Sequence, residues 1–205
     1  MLYLITNRSL ITSGNIYSVV LEALRGGVNA VILREKDLSY DELLPIAFRL
    51  RNITNSFGSQ LIVNSNLKAA IISNANFFHV GIEDFKKKKL DLSGALLGLS
   101  VHSVEEAIKA EKLGAKYILA SHIFETDCKK GLKPKGIQMI EDIKSNISIP
   151  VIALGGINEG NIKKVLEAGA SGAAVMSSIM ASSNPYLAAK SLRDKMLSYK
   201  TISQA

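Results

Sequence analysis

Between Ala120 and Gly131 the chain reads ASHIFETDCKKG. One histidine, two acids, a threonine, the only cysteine and two lysines follow directly on an apolar run, YILA. Imidazole, carboxylate, thiol and ammonium groups packed this closely can move protons and hold anions. A thiol becomes reactive only when something lowers its pKa. No neighbour of Cys128 has an evident claim to that task, so the cysteine reads as a bystander.

A second group of candidates is Arg34, Glu35 and Lys36, which end the run AVILR. Such a run can be a surface ion pair, contributing about 0–1 kcal/mol. At the rim of a ligand site it would instead bind a carboxylate or phosphate and carry a general base. A third group is Gly155–Gly156 with Ser177–Ser178. Glycines let backbone N–H groups approach a phosphate closely.

Placing these groups requires the elements that carry them. Short aliphatic or β-branched runs recur at 2–6, 30–34, 60–64, 77–81, 96–100, 117–121, 150–154 and 172–176. They do not alternate polar and apolar, as expected of parallel strands buried on both faces. Between them, YSVVLEALRGG, YDELLPIAFRLRNI, SVEEAIKAEKLG, GIQMIEDIKSN, NEGNIKKVLEAG and YLAAKSLRDKML place apolar residues at helical spacing. The stretches directly after strands one, three and four carry the weakest helical patterns. Three related junctions, LRGGVNAVIL, EKLGAKYILA and LEAGASGAAVM, repeat a helix end, glycine and strand start.

Eight strands alternating with helices predict a (β/α)8 TIM barrel, in the α/β class, formed by residues 1–205 as one domain. The rival is an open doubly wound sheet, which more often carries a Gly-rich loop after its first strand. Here that position reads NRSLITSGN. In a barrel the active site lies at the C-terminal strand ends. The rim then gathers Thr6–Asn7, Arg34–Lys36, Asn64–Ser65, Gly81 with Glu83–Asp84, Ser100 with His102, Ser121–His122, Gly155–Gly156 and Met176–Ser178. Loops after strands seven and eight form a recurrent phosphate site in this fold, which assigns Gly155, Gly156, Ser177 and Ser178 to a phosphate. His79, inside the run FFHVG, reads as structural.

Composition narrows the function. The chain has 205 residues, 47% of them hydrophobic, and a formal charge of +7. No apolar run approaches the roughly 18 residues that span a bilayer. MLYLITNRSL does not lead from a basic region into a long apolar stretch, so no signal peptide is expected. One cysteine excludes an internal disulfide and suits a reducing cytoplasm. Positive charge could serve nucleic acid, but the densest run, Lys86–Lys89, lacks interleaved aromatics and reads as a solvated turn or short helix. No helix-turn-helix signature stands out. A small anionic ligand, such as a phosphate ester, would also suit a basic protein. Barrels often associate through their outer helices, so a homodimer is compatible with the fold, though no motif specifies one.

The segments VILREKDLS, LIVNSN, FHVGIEDF, GLSVHSVEEAIKAEKLGAKYILAS, PVIALGGI and GASGAAVMSSI together resemble the thiamine-phosphate synthase/TenI superfamily over nearly the whole chain. The resemblance implies a (β/α)8 barrel that handles the thiazole phosphate half of thiamin. Two activities occur there. The synthase joins a pyrimidine diphosphate to the thiazole phosphate with Mg²⁺. The TenI-type thiazole tautomerase, without metal or other cofactor, aromatises the thiazole synthase product to a carboxythiazole phosphate.

Three departures from the synthase pattern favour the tautomerase. Ile32 stands where the synthase has glutamine, and Ser65 stands where it has a Mg²⁺-binding aspartate. Asp84 matches the second metal aspartate, but one carboxylate is a poor site for a hard cation. The third departure is HIFETDCKKGL, which resembles the tautomerase loop rather than the proline-rich synthase loop. On that resemblance His122 is the proton shuttle, Glu35 an orienting group or second base, Arg34 the carboxylate's partner, Asn64 and Ser100 substrate-binding residues, and Lys129 a ligand of the carboxylate or phosphate. The family's histidine at His102 positions the loop or caps the next helix. The expected substrate is a small phosphorylated thiazole carboxylate. A divergent synthase, or a barrel that binds thiazole phosphate as a regulator without catalysis, are the alternatives.

Overall fold

The computed structural model describes residues 1–88, 90–126, 131 and 133–202, the last three of these by their backbone only. Eight strands close a barrel in sequence order, each pairing in parallel with the next and β8 returning to β1. They are β1 Leu2–Ile5, β2 Ala30–Leu33, β3 Gln60–Asn64, β4 Phe77–Gly81, β5 Leu96–Val101, β6 Tyr117–Ser121, β7 Val151–Leu154 and β8 Gly172–Val175. Nearly every residue of these strands is buried, which explains the unbroken apolar runs: one face meets the lumen and the other meets helices.

The helices are α1 Ile16–Arg25, α2 Tyr40–Ser56, α3 Leu67–Ile72, α4 Ile82–Lys88, α5 Val104–Lys112, α6 Gln138–Lys144, α7 Ile162–Glu167, α8 Ser177–Met180 and α9 Pro185–Ile202. Asn15, Ser39, Asn66 and Ser103 each accept a hydrogen bond from a first-turn N–H, satisfying donors that a helix cannot satisfy internally. The weak patterns after strands one, three and four correspond to a single 3-10 turn, Arg8–Leu10, and to the short α3 and α4. Lys86–Lys88 are exposed on the last turn of α4, as a solvated helix end. Among the described residues, no helix is long and apolar enough to cross a membrane.

Apolar side chains separate into two cores. The larger lies between the sheet and the helices. The smaller fills the lumen with Tyr3, Ile5, Ala30, Ile32, Ile62, Tyr117, Leu119, Ile152 and Ala174. The barrel is therefore plugged from below, and a ligand can enter only at the rim.

Candidate active site

His122 follows the last residue of β6 and is 5% exposed. The peptide bond joining it to Ser121 is cis. The chain on both sides of the imidazole is held by backbone bonds. Ile123 N–H donates to Leu154 O (2.9 Å), Phe124 N–H to Gly155 O (3.0 Å), Lys135 N–H to His122 O (3.0 Å) and Gly136 N–H to Ile123 O (3.0 Å). His102 adds a side-chain tie: its Nδ1 lies 2.7 Å from Ser121 O. A carbonyl only accepts, so Nδ1 carries the proton there. His102 thus secures the residue immediately before His122, while its own N–H donates to Glu106 on α5.

Gly155 and Gly156 sit directly against this loop. Their φ values are +105° and +64°. A methyl group on Gly155 would lie 2.6 Å from His122 Cβ, and one on Gly156 would strike Glu125 O. Glycine is needed here for backbone conformation and for close packing at once. The expected proton shuttle and the expected phosphate loop are therefore neighbours. Ser178 Oγ donates to Ile157 O (3.1 Å), tying the β8 loop to the β7 loop. Among the described residues, the N–H groups of Gly156, Ile157, Ser177 and Ser178 have no acceptor. Two shallow grooves, of about 260 and 850 Å³, run along α9, and both are bordered by Ser178 and Glu159.

The Arg34–Glu35–Lys36 run does not form the local ion pair its spacing suggests. Glu35 pairs instead with Arg8, from the turn after β1. Arg8 N–H donates to Glu35 Oε2 (3.1 Å), and Arg8 Nη1 lies 3.4 Å from the same oxygen. The Glu35 side chain is 2% exposed, and its Oε1 has no hydrogen-bond partner among the described residues. Arg8 also grips Asp37 with both terminal nitrogens, at 2.9 and 2.6 Å. That hydrogen bonding holds the Asp37 carboxyl below the usual carboxylate range. Arg34 is half-buried; its N–H donates to Thr6 Oγ1, and its guanidinium makes no hydrogen bond or ion pair with a described residue. Sequence reasoning missed Arg8, whose only signal was its place just beyond strand one.

Asn64 ends β3, and its Nδ2 donates to Ser65 Oγ (2.7 Å). Ser65 takes a left-handed φ of +63°. Ser100, near the end of β5, bonds His79 Nε2 at 2.8 Å, and His79 Nδ1 bonds Tyr117 OH at 2.9 Å. Burial lowers the His79 pKa to about 3 and raises that of Tyr117 well above its ordinary value. His79 is structural in the sense expected, though it reaches the rim through Ser100. Lys129 and Cys128 lie outside the described residues.

At the two positions where the synthase pattern places Mg²⁺-binding aspartates, this chain has Ser65 and Asp84. The serine at 65 is occupied by Asn64, and Asp84 is exposed on α4. Among the described residues, no three His, Cys, Asp or Glu side chains converge as a metal site. Ile32, in the glutamine position, is fully buried in the lumen.

Residues 2–179 match the family model described as thiamine monophosphate synthase. A thiamine-phosphate synthase of Clostridium acetobutylicum is 36% identical over 197 residues, spanning 95% of this chain and 90% of that one. Another, from Pyrococcus abyssi, is 36% identical over 194 residues, with 94% and 92% covered. The solved thiamine phosphate pyrophosphorylase from Pyrococcus furiosus superposes with a TM-score of 0.86 at 32% identity, covering 97% of this chain and 96% of its own. With the closed barrel and its polar rim, these matches establish that the chain belongs to the thiamine-phosphate synthase/TenI family.

Proposed function

We propose that this member of a thiamine-biosynthesis family is a thiazole tautomerase. The observation that carries the reading is His122, held at the tip of β6 against Gly155. The substrate has a ring carbon that bears a hydrogen and a carboxylate, joined through the ring C=N to a carbon that carries an exocyclic double bond. His122 takes the proton from that carbon, electrons shift into the ring, and the same imidazole returns a proton to the exocyclic carbon. Positioned proton transfer of this kind supplies about 10²–10⁴-fold. The gain of aromaticity supplies the driving force.

The remaining roles follow the rim. Arg34, whose guanidinium has no hydrogen-bond or ion-pair partner among the described residues, receives the carboxylate from the opposite wall, since β2 and β6 lie four strands apart in the ring of eight. The N–H groups at Gly156, Ile157, Ser177 and Ser178, which have no acceptor among the described residues, receive the phosphate. Asn64 and Ser100, at the end of β3 and near the end of β5, bind the substrate between these two groups. Glu35 orients Arg8 and acts as a reserve base through Oε1, which has no hydrogen-bond partner among the described residues.

The second reading is thiamine-phosphate synthase, the name carried by the relatives above. Against it stand Ile32 in the lumen and Ser65 in the metal position. Two parallel assays separate the readings. One follows aromatisation of the dihydrothiazole carboxylate phosphate in the presence of a chelator. The other follows Mg²⁺-dependent coupling of the pyrimidine diphosphate with thiazole phosphate. Turnover in the first alone supports the tautomerase, and turnover in the second alone replaces it. Tight binding of the carboxythiazole phosphate with neither activity would identify a sensor.

A further inference from the structure

His79, Gly98 and Tyr117 occupy one row across three adjacent strands. His79 on β4 is in register with Gly98 on β5, and Gly98 with Tyr117 on β6. The missing side chain at 98 makes room for the tyrosine ring: a Cβ there would strike Tyr117 Cε1, Cζ and OH. The ring therefore reaches across β5 and stacks on His79, with centroids 5.5 Å apart and an interplanar angle of 26°. Ser100 lies two residues further along β5, nearer the rim, and is half-buried.

Two proton arrangements fit the chain Tyr117 OH···Nδ1–His79–Nε2···Oγ Ser100. In one, the imidazole Nδ1–H donates to the tyrosine. The phenolic hydrogen then has no acceptor among the described residues, because Tyr117 makes no other hydrogen bond and its surroundings are Tyr3 and Phe77. A buried donor left without an acceptor keeps the full penalty of its desolvation. In the other, Tyr117 donates to Nδ1, the neutral imidazole carries its proton on Nε2, and Nε2–H donates to Ser100 Oγ. Every buried hydrogen then has an acceptor. The imidazole stays neutral because burial keeps its pKa near 3.

We infer that Tyr117 and His79 are positioning residues that fix the polarity of Ser100. With an inner lone pair occupied by His79 Nε2–H, the serine hydroxyl hydrogen points to the rim. Ser100 is then a dedicated donor, matched to a ligand group that only accepts, such as a carboxylate or phosphate oxygen. The ligand's identity rests on the tautomerase reading; the proton arrangement does not.

Two measurements test this. Two-bond ¹H–¹⁵N spectra of the ligand-free protein should show His79 with Nε2 protonated and Nδ1 bare, unchanged between pH 5 and 8. An Nδ1-protonated ring, or one that titrates in that range, overturns the relay. Binding of the carboxythiazole phosphate is then compared in wild type, Tyr117→Phe, Ser100→Ala and the double variant. Tyr117→Phe should weaken binding about 3- to 10-fold when Ser100 is present and leave it unchanged in the Ser100→Ala background. Equal losses in both backgrounds would reduce Tyr117 to packing and overturn the inference. Should the wild type fail to bind that compound, the tautomerase reading falls, and the spectrum alone decides the relay.

Discussion

Two walls of one rim solve the problem of buried polarity differently. On the β4–β6 side, His79, Tyr117 and Ser100 form a neutral chain in which each buried atom has a partner. On the β1–β2 side, Glu35 is as deeply buried but pairs with Arg8, and one carboxylate oxygen has no partner among the described residues. A closed neutral network rigidifies, whereas an incomplete one is strained toward any further donor that arrives. The comparison teaches that the first wall presents a fixed donor, and the second keeps capacity in reserve for ligand or proton.

Acid should break the neutral wall first and with the largest effect. The folded His79 pKa is depressed from 6.5 to about 3 by burial. Between those values the unfolded chain binds the extra proton, so stability is present above 6.5 and is lost as pH falls toward 3. At about 1.4 kcal/mol per pKa unit, roughly 5 kcal/mol is the upper bound on that loss. Urea unfolding across this range should show a steeper pH slope for wild type than for His79→Gln. The hydrogen-bonded carboxylates Asp37, Glu83 and Glu111 act in the same direction, but equally in both proteins.

Gly98→Ala attacks the same wall sterically by driving a methyl group into the Tyr117 ring. Overpacking of this kind costs about 1–3 kcal/mol, occasionally more, and should be read as a lower urea midpoint together with loss of the His79 tautomer signature. An unchanged midpoint would show that the ring is less confined than the row of residues implies.

The charged wall should respond no more strongly. Arg8→Gln removes the guanidinium from Glu35 but leaves the residue-8 N–H in place, so a loss of about 1–3 kcal/mol is expected by chemical denaturation. Asp37→Asn touches only the exposed half of the cluster and should leave the midpoint unaltered, because exposed ion pairs contribute little. A larger effect from Asp37 than from Arg8 would reverse the assignment of the buried carboxylate as the costly group.

The fold was legible because its signal is local. Strands buried on two faces write themselves as continuous apolar runs, and β3 to β6 begin at the first residue of their runs, with β5 extending one residue further. The polar residues at the strand ends were legible for the same reason: once the strands are placed, topology sends their ends to one rim. Partnerships were not legible. Glu35 lies between Arg34 and Lys36 in sequence yet binds Arg8, 27 residues away. His79 reaches Tyr117 across 38 residues, and only because Gly98 is small. Spacing along a chain carries no record of contacts that the closed sheet creates. The resemblance of HIFETDCKKGL carried the expectation of a tautomerase, whereas the geometry shows a histidine whose loop packs against two glycines.

The most direct measurement is aromatisation of the dihydrothiazole carboxylate phosphate by wild type and by His122→Asn, in chelator, with circular dichroism confirming that both are folded. The account predicts turnover by the wild type and a loss of about 10²-fold or more in the variant. Equal rates for the two proteins, or a wild type that acts only as a Mg²⁺-dependent coupling enzyme, would contradict it.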